Sequence, residues 1–207
     1  MHKIIIENDQ LKTSSNEVLL LKNNTITIIS SGEYTIEYRN CKKISLEMKV
    51  EKNVTAKVFI SSVGNDIQIN NHYLLEKNSQ LLLFQFYYNK NVRENTTIDL
   101  NGELASFNSG FSSISRGIEE YHIIVNHNAC KVSSNIKNKC IGLDKSAITL
   151  EINSVLGKGN TDCLMDQTSR ILTLGEVDAK ILPNMFIDEN SVEAKHGSVI
   201  GGFQEDE

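Results

Sequence analysis

Apolar residues in this chain recur at every second position, and a period of two commits a segment to a strand with one buried face. The pattern is clear at Tyr34, Ile36 and Tyr38, and at Ile44, Leu46, Met48 and Val50. It returns at Ala56, Val58 and Ile60, and at Ile148, Leu150 and Ile152, with polar residues such as Ser45, Glu47 and Lys49 between. Residues 81–88 are almost continuously apolar and read as a strand buried on both faces, or one at an interface. No stretch of ten or more residues carries the repeat of an amphipathic helix. The chain is expected to be all-β.

Several strands are entered through similar short polar turns. Taking Asn53, Asn78, Asn101, Lys145 and Asn190 as markers, the steps are about 25, 23, 44 and 45 residues, close to one or two multiples of a period near 22. A repeat of that length is one coil of a β-solenoid, whose coils stack into long parallel sheets and bury their inner faces only against one another. The competing architecture is an antiparallel β-sandwich. It would need many two-residue hairpin turns, and these are scarce, Asn101-Gly102 being one.

The 207 residues suffice for one domain with a real core, or at most two small ones, and the organisation expected is a single unit over residues 1–207. A formal charge of −5 gives no pull toward nucleic acid or anionic membrane. No apolar run approaches a membrane span. Ile4-Ile5-Ile6 is followed at once by Glu7 and Asp9, unlike a secretory signal. Cys41, Cys130, Cys140 and Cys163 are widely spaced with no Cys-x-x-Cys pair, as expected for reduced thiols in a cytoplasmic protein.

Residues 121–203 carry a more specific likeness. The first stretch runs from His122 through His127 to Ala129, followed by Ser133-Ser134. The second is Leu143 to Ala147, then Gly157 and Asp166-Gln167-Thr168-Ser169-Arg170-Ile171-Leu172. The third joins Ala179-Lys180-Ile181-Leu182-Pro183 to Val192-Glu193-Ala194-Lys195-His196-Gly197 and Ser198 to Gly201. Together they resemble the β-helical core of the SufB/SufD family, scaffold proteins of the SUF iron–sulfur assembly system.

The resemblance implies a right-handed parallel β-helix and a non-enzymatic scaffold that helps form an iron–sulfur cluster at a subunit interface. It implies pairing with a SufB-like subunit or with a second copy as a homodimer. The reactive cysteine of SufB is replaced here by Thr168, and His196-Gly197 places the chain on the SufD side. The SufD cysteine two residues before that His is replaced by Ala194. The family's helices that dock the SufC ATPase have no counterpart in the sequence, which argues against contact with a SufC-type ATPase.

The resemblance implies cluster handling by His196 together with a cysteine from a partner subunit, and neutral imidazole is a good iron ligand. Without the resemblance His196 reads as a histidine simply hydrogen-bonded near the end of the sheet. In a regular strand Ala194 and Ser198 would share its face, while Glu193 and Lys195 would point away. Cys163, expected to be partly exposed, is the second candidate metal ligand. Cys130 and Cys140 read as small apolar fillers, and His127 as structural. Asp144, Asp162 and Asp166 could serve as the acids of a carbohydrate-cleaving β-helix, but no acidic cluster repeats at coil spacing. Two alternatives stand beside the scaffold: a solenoid interaction module without cluster chemistry, and a β-helical carbohydrate-active enzyme. The acidic Gln204-Glu205-Asp206-Glu207 is expected to help cap the last coil.

Overall fold

A computed structural model describes residues 2–13, 19–22 and 25–203. The strands begin with β1 (His2–Glu7), β2 (Gln10–Thr13), β3 (Leu19–Lys22), β4 (Thr25–Ile28), β5 (Gly32–Arg39) and β6 (Lys43–Val50). They continue with β7 (Thr55–Gly64), β8 (Ile67–Leu75), β9 (Gln80–Asn89), β10 (Val92–Leu100), β11 (Ser106–Ser115) and β12 (Ile118–His127). The series closes with β13 (Ser133–Gly142), β14 (Ala147–Leu156), β15 (Cys163–Leu174), β16 (Asp178–Ile187) and β17 (Val192–Phe203). No helix occurs among the described residues.

From β4 onward the chain alternates between two parallel sheets. One, here sheet A, holds β17-β15-β13-β11-β9-β7-β5-β1-β2; the other, sheet B, holds β16-β14-β12-β10-β8-β6-β4-β3. This is a β-solenoid of about six turns, and the parallel pairing excludes the sandwich. Only β2 and β3 break the rule: each is a four-residue antiparallel strand at the N-terminal edge of its sheet.

The corners leading into sheet A fix the stack. Asn53, Asn78, Leu104, Lys131 and Asp162 all have positive φ, between 55° and 66°. Each donates its backbone N–H to a carbonyl in the next coil: Asn53 to Lys77, Asn78 to Glu103, Leu104 to Cys130, Lys131 to Thr161 and Asp162 to Ser191. Asn suits such a corner because its short polar side chain tolerates the left-handed conformation, and Asn78 Nδ2 also donates to Asn53 Oδ1 at 2.9 Å.

The coil is therefore longer than the period near 22 expected from the sequence. Strand register advances by 25 residues from Thr55 to Gln80, 27 from Ser106 to Ser133 and 31 from Ser133 to Leu164. The shorter period came from mixing positions: Lys145 is a left-handed residue at the opposite corner, and neither Asn101 nor Asn190 has positive φ. Nor does Asn101-Gly102 make a hairpin. It lies in a corner pressed on the coil below, where a Cβ on Gly102 would come 1.9 Å from the Lys77 nitrogen.

Every alternating segment anticipated from the sequence is a strand with that face buried, and Tyr34, Met48, Val58 and Leu150 are fully sealed. Burying one such side chain contributes about 1.5–3 kcal/mol. Exposed corner pairs such as Lys77–Glu103 are screened by solvent and contribute little, so the core decides stability. Residues 81–88 are not buried on both faces, one of the two alternatives expected for them. β9 is buried on one face only, with Phe84 and Phe86 more than 40% exposed on the other.

The core is also less apolar than its pattern suggested. Glu94 and Glu119 are sealed on the inner face of sheet B, with no cation among the described residues beside either. Glu94 Oε1 accepts from Thr96 Oγ1 at 2.6 Å, Gln85 Nε2 at 3.2 Å and Asn71 Nδ2 at 3.4 Å. Glu119 Oε2 accepts from Ser113 Oγ at 2.7 Å. Burial raises the pKa of both, that of Glu119 to about 7. Tyr87, Phe111 and Tyr121 pack their rings around this polar centre.

Two measurements test this account. Between pH 4.5, the ordinary Glu value, and about 7 the unfolded chain loses the Glu119 proton while the folded chain keeps it. Stability should fall across that interval by up to about 3 kcal/mol. Glu119→Gln should flatten much of this fall in denaturant titrations run at several pH values, leaving the part due to Glu94. At the corner, Gly102→Ala should lower the melting temperature by far more than Gly157→Ala, whose added Cβ meets nothing within 4 Å.

Candidate functional site

The solenoid ends in an open coil made of β16 and β17. Among the described residues no strand covers it, and none of the side chains of β17 is buried. Strand register fixes which side chains face the interior there. Val192, Ala194, His196 and Ser198 continue the inner rows begun by Cys163, Met165, Gln167 and Ser169 on β15. Ala194 and Ser198 thus share the face of His196, while Glu193 and Lys195 point outward, Lys195 toward Asp166 at 3.4 Å.

His196 is held by sheet B. Its Nδ1 lies 2.8 Å from the carbonyl oxygen of Pro183 on β16. A carbonyl only accepts, so Nδ1 carries the proton, and in the neutral ring Nε2 keeps its lone pair. Gln167, directly below, crosses the interior as a tie between the sheets. Its Nε2 donates to Ser154 Oγ at 2.6 Å and to the Asn184 carbonyl at 3.3 Å. Its Oε1 is buried without a partner among the described residues. The arrangement leaves one exposed imidazole nitrogen, of fixed tautomer, at the mouth of the coil. Histidines that bind metals commonly have their other ring N–H held in this way.

The other candidate lies elsewhere. Cys163 opens β15, and its register partner Val192 is four residues before His196, about 13 Å along the strand. Contrary to expectation it has no exposed surface, sealed under the turn that precedes it with Sγ near the carbonyls of Ala129, Asn160 and Thr161. Burial raises its pKa, which disfavours the thiolate a metal requires. Cys140 is an inner-face residue whose pKa burial pushes to about 12, and Cys130 is half-buried beside the Gly159 carbonyl. Thr168 faces outward and pairs with Gly197. Residues 204–207, the expected acidic cap, lie outside the described residues.

His127 is structural in the way expected. It is buried, Nδ1 donates to the Val155 carbonyl at 3.1 Å, and Nε2 accepts from Ser134 Oγ at 2.9 Å. Burial lowers its pKa and keeps the ring neutral. Asp144, Asp162 and Asp166 do not converge: they engage the Glu176 amide, Ser191 Oγ and Lys195 respectively. Among the described residues no group of three or more His, Cys, Asp or Glu side chains could hold a metal ion. Sequence reading missed Glu94 and Glu119, although strand parity with Ile98 and Ile123 would have placed both inside.

The family model described as SUF system FeS cluster assembly, SufBD core domain, matches residues 4–207. Comparison with curated proteins found no match. The chain belongs to the SufBD core family, whose role is in iron–sulfur cluster assembly. No helix among the described residues is long and apolar enough to cross a membrane.

The tautomer is directly measurable. Long-range ¹H–¹⁵N correlation of neutral His196 should show a protonated Nδ1 and an unprotonated Nε2. The opposite pattern would mean that the Pro183 carbonyl does not hold the ring.

Proposed function

We propose that this chain is a SufD-like, non-enzymatic scaffold on which an iron–sulfur cluster is assembled at a seam between two subunits, with His196 supplying a ligand. The observation that carries the reading is the free Nε2 of His196 at the open end of the stack. One ring nitrogen is one ligand, so the remaining ligands come from across the seam, where the family resemblance implies a cysteine of a SufB-like subunit. The cluster is cargo here, held in passing.

The seam itself follows from the edges. Among the described residues no strand pairs with the outer edges of β16 and β17, and Phe186, Ile200 and Phe203 are each about half exposed or more. A long, uncovered, apolar strand edge is a pairing surface. A SufB-like subunit or a second copy would fit it. Four free thiols agree with a reducing, cytoplasmic setting.

A second reading has one observation behind it. Neither family cysteine position carries a thiol, and none of the four cysteines lies on β17. A solenoid that pairs through the same edge without cluster chemistry would have this composition. Scattered acids leave the carbohydrate-enzyme reading without a catalytic pair.

Anaerobic incubation with ferrous iron and sulfide separates the two. Wild type should develop a visible cluster chromophore, and His196→Ala should lose most of it. Ile200→Glu should shift the protein toward monomer in light-scattering measurements and lose the chromophore as well. Equally little iron in wild type and His196→Ala would end the cluster reading and leave the interaction module.

A further inference from the structure

The outer faces of the two sheets are built differently. On sheet B the polar side chains satisfy one another. His72 Nε2 lies 2.7 Å from Asp99 Oδ2, Asn126 Nδ2 donates to Asp99 Oδ1, and His122 Nδ1 lies 3.0 Å from Glu151 Oε2. The middle of sheet A presents an aromatic platform instead. Phe59, Phe84 and Phe86 are each about two-fifths exposed, and the rings of Phe59 and Phe84 stack 5.2 Å apart. Gly110, the register neighbour of Phe84 on β11, keeps the platform low: a Cβ there would come 3.1 Å from the Phe84 ring.

Cations continue the same rows. Beyond Gly110 comes Lys137; beyond Ser112, the neighbour of Phe86, come Lys139 and then Arg170. None of the three has an ion pair among the described residues, in a chain whose net charge is −5. From Phe86 to Arg170 is three strand spacings, about 14 Å. That is slightly more than the diameter of an α-helix with its side chains, about 10–12 Å.

We propose that this face docks an amphipathic helix of another protein, its apolar stripe on Phe84 and Phe86 and its carboxylates toward Lys137, Lys139 and Arg170. Charge complementarity selects the acidic flank. The form of the partner follows from the backbone: β9, β11 and β13 are hydrogen-bonded on both sides, so no strand can be added there. A single nucleic-acid strand fits less well, because Phe59 and Phe84 turn their faces to each other and the overall charge repels phosphate.

Two fluorescent peptides of about 20 residues test this, with the same Leu/Phe stripe and either Glu or Lys along the flanks. Anisotropy should show the Glu peptide binding at least about tenfold more tightly. The double variant Lys139→Glu/Arg170→Glu should reverse the preference, and Phe84→Ser/Phe86→Ser should weaken both peptides by about tenfold or more, with circular dichroism confirming the fold. His196→Ala should leave these affinities unchanged, so failure of the cluster proposal would not touch this one. Equal affinity for the two peptides would overturn the proposal. So would tighter binding of an oligothymidine than of the Glu peptide, self-association abolished by the phenylalanine changes, or loss of peptide binding in His196→Ala.

Discussion

Stacking in this molecule rests on a repeated backbone contact, the left-handed corner residue whose N–H reaches a carbonyl one coil further on. Five successive corners repeat it while the residues that perform it change from Asn to Leu, Lys and Asp. What is kept is the conformation. Because every corner is pinned to the next, the strands between them cannot slip, and side chains fall into straight rows through the stack. A row facing inward is buried whatever its chemistry, which is how Glu94 and Glu119 come to lie in a core without a countercharge. Burial favours the protonated form of both carboxyls, and hydroxyl and amide donors satisfy their oxygens.

The candidate site is the end of such a row. Gln167 and His196 are neighbours in one column, yet the first is sealed and the second open, only because a coil lies above one and none of the described residues lies above the other. Inside the stack the glutamine amide ties the two sheets together. At the mouth the Pro183 carbonyl takes over the task of holding the side chain, and does so from an edge strand, where proline is at home.

Much of this was legible in the alternation itself. Tyr34, Ile36 and Tyr38, or Ile148, Leu150 and Ile152, could face only one way, and parity alone put Ala194 and Ser198 beside His196. Coil length was harder, because Asn and Lys-Asn turns punctuate both corners, and a sequence does not say which corner a turn belongs to. Of the two alternatives for residues 81–88, burial on both faces failed for a definite reason: Phe84 and Phe86 are apolar on a face that the fold leaves open. The placement of Cys163 depended on how the Gly157–Asp162 turn folds over it, a tertiary detail with no periodic trace. Glu94 and Glu119 were readable in principle, but a carboxylate is assigned by habit to the surface.

The two ends of the stack are unequal, and that inequality bears on how large any assembly becomes. At one end four-residue antiparallel strands interrupt the parallel run; at the other, no described strand covers the twelve-residue β17. A filament requires two complementary sticky termini on every subunit, each feeding the next. Among the described residues only one pole offers a long edge, so any pairing through it would be mouth to mouth and would close on itself rather than propagate into fibres.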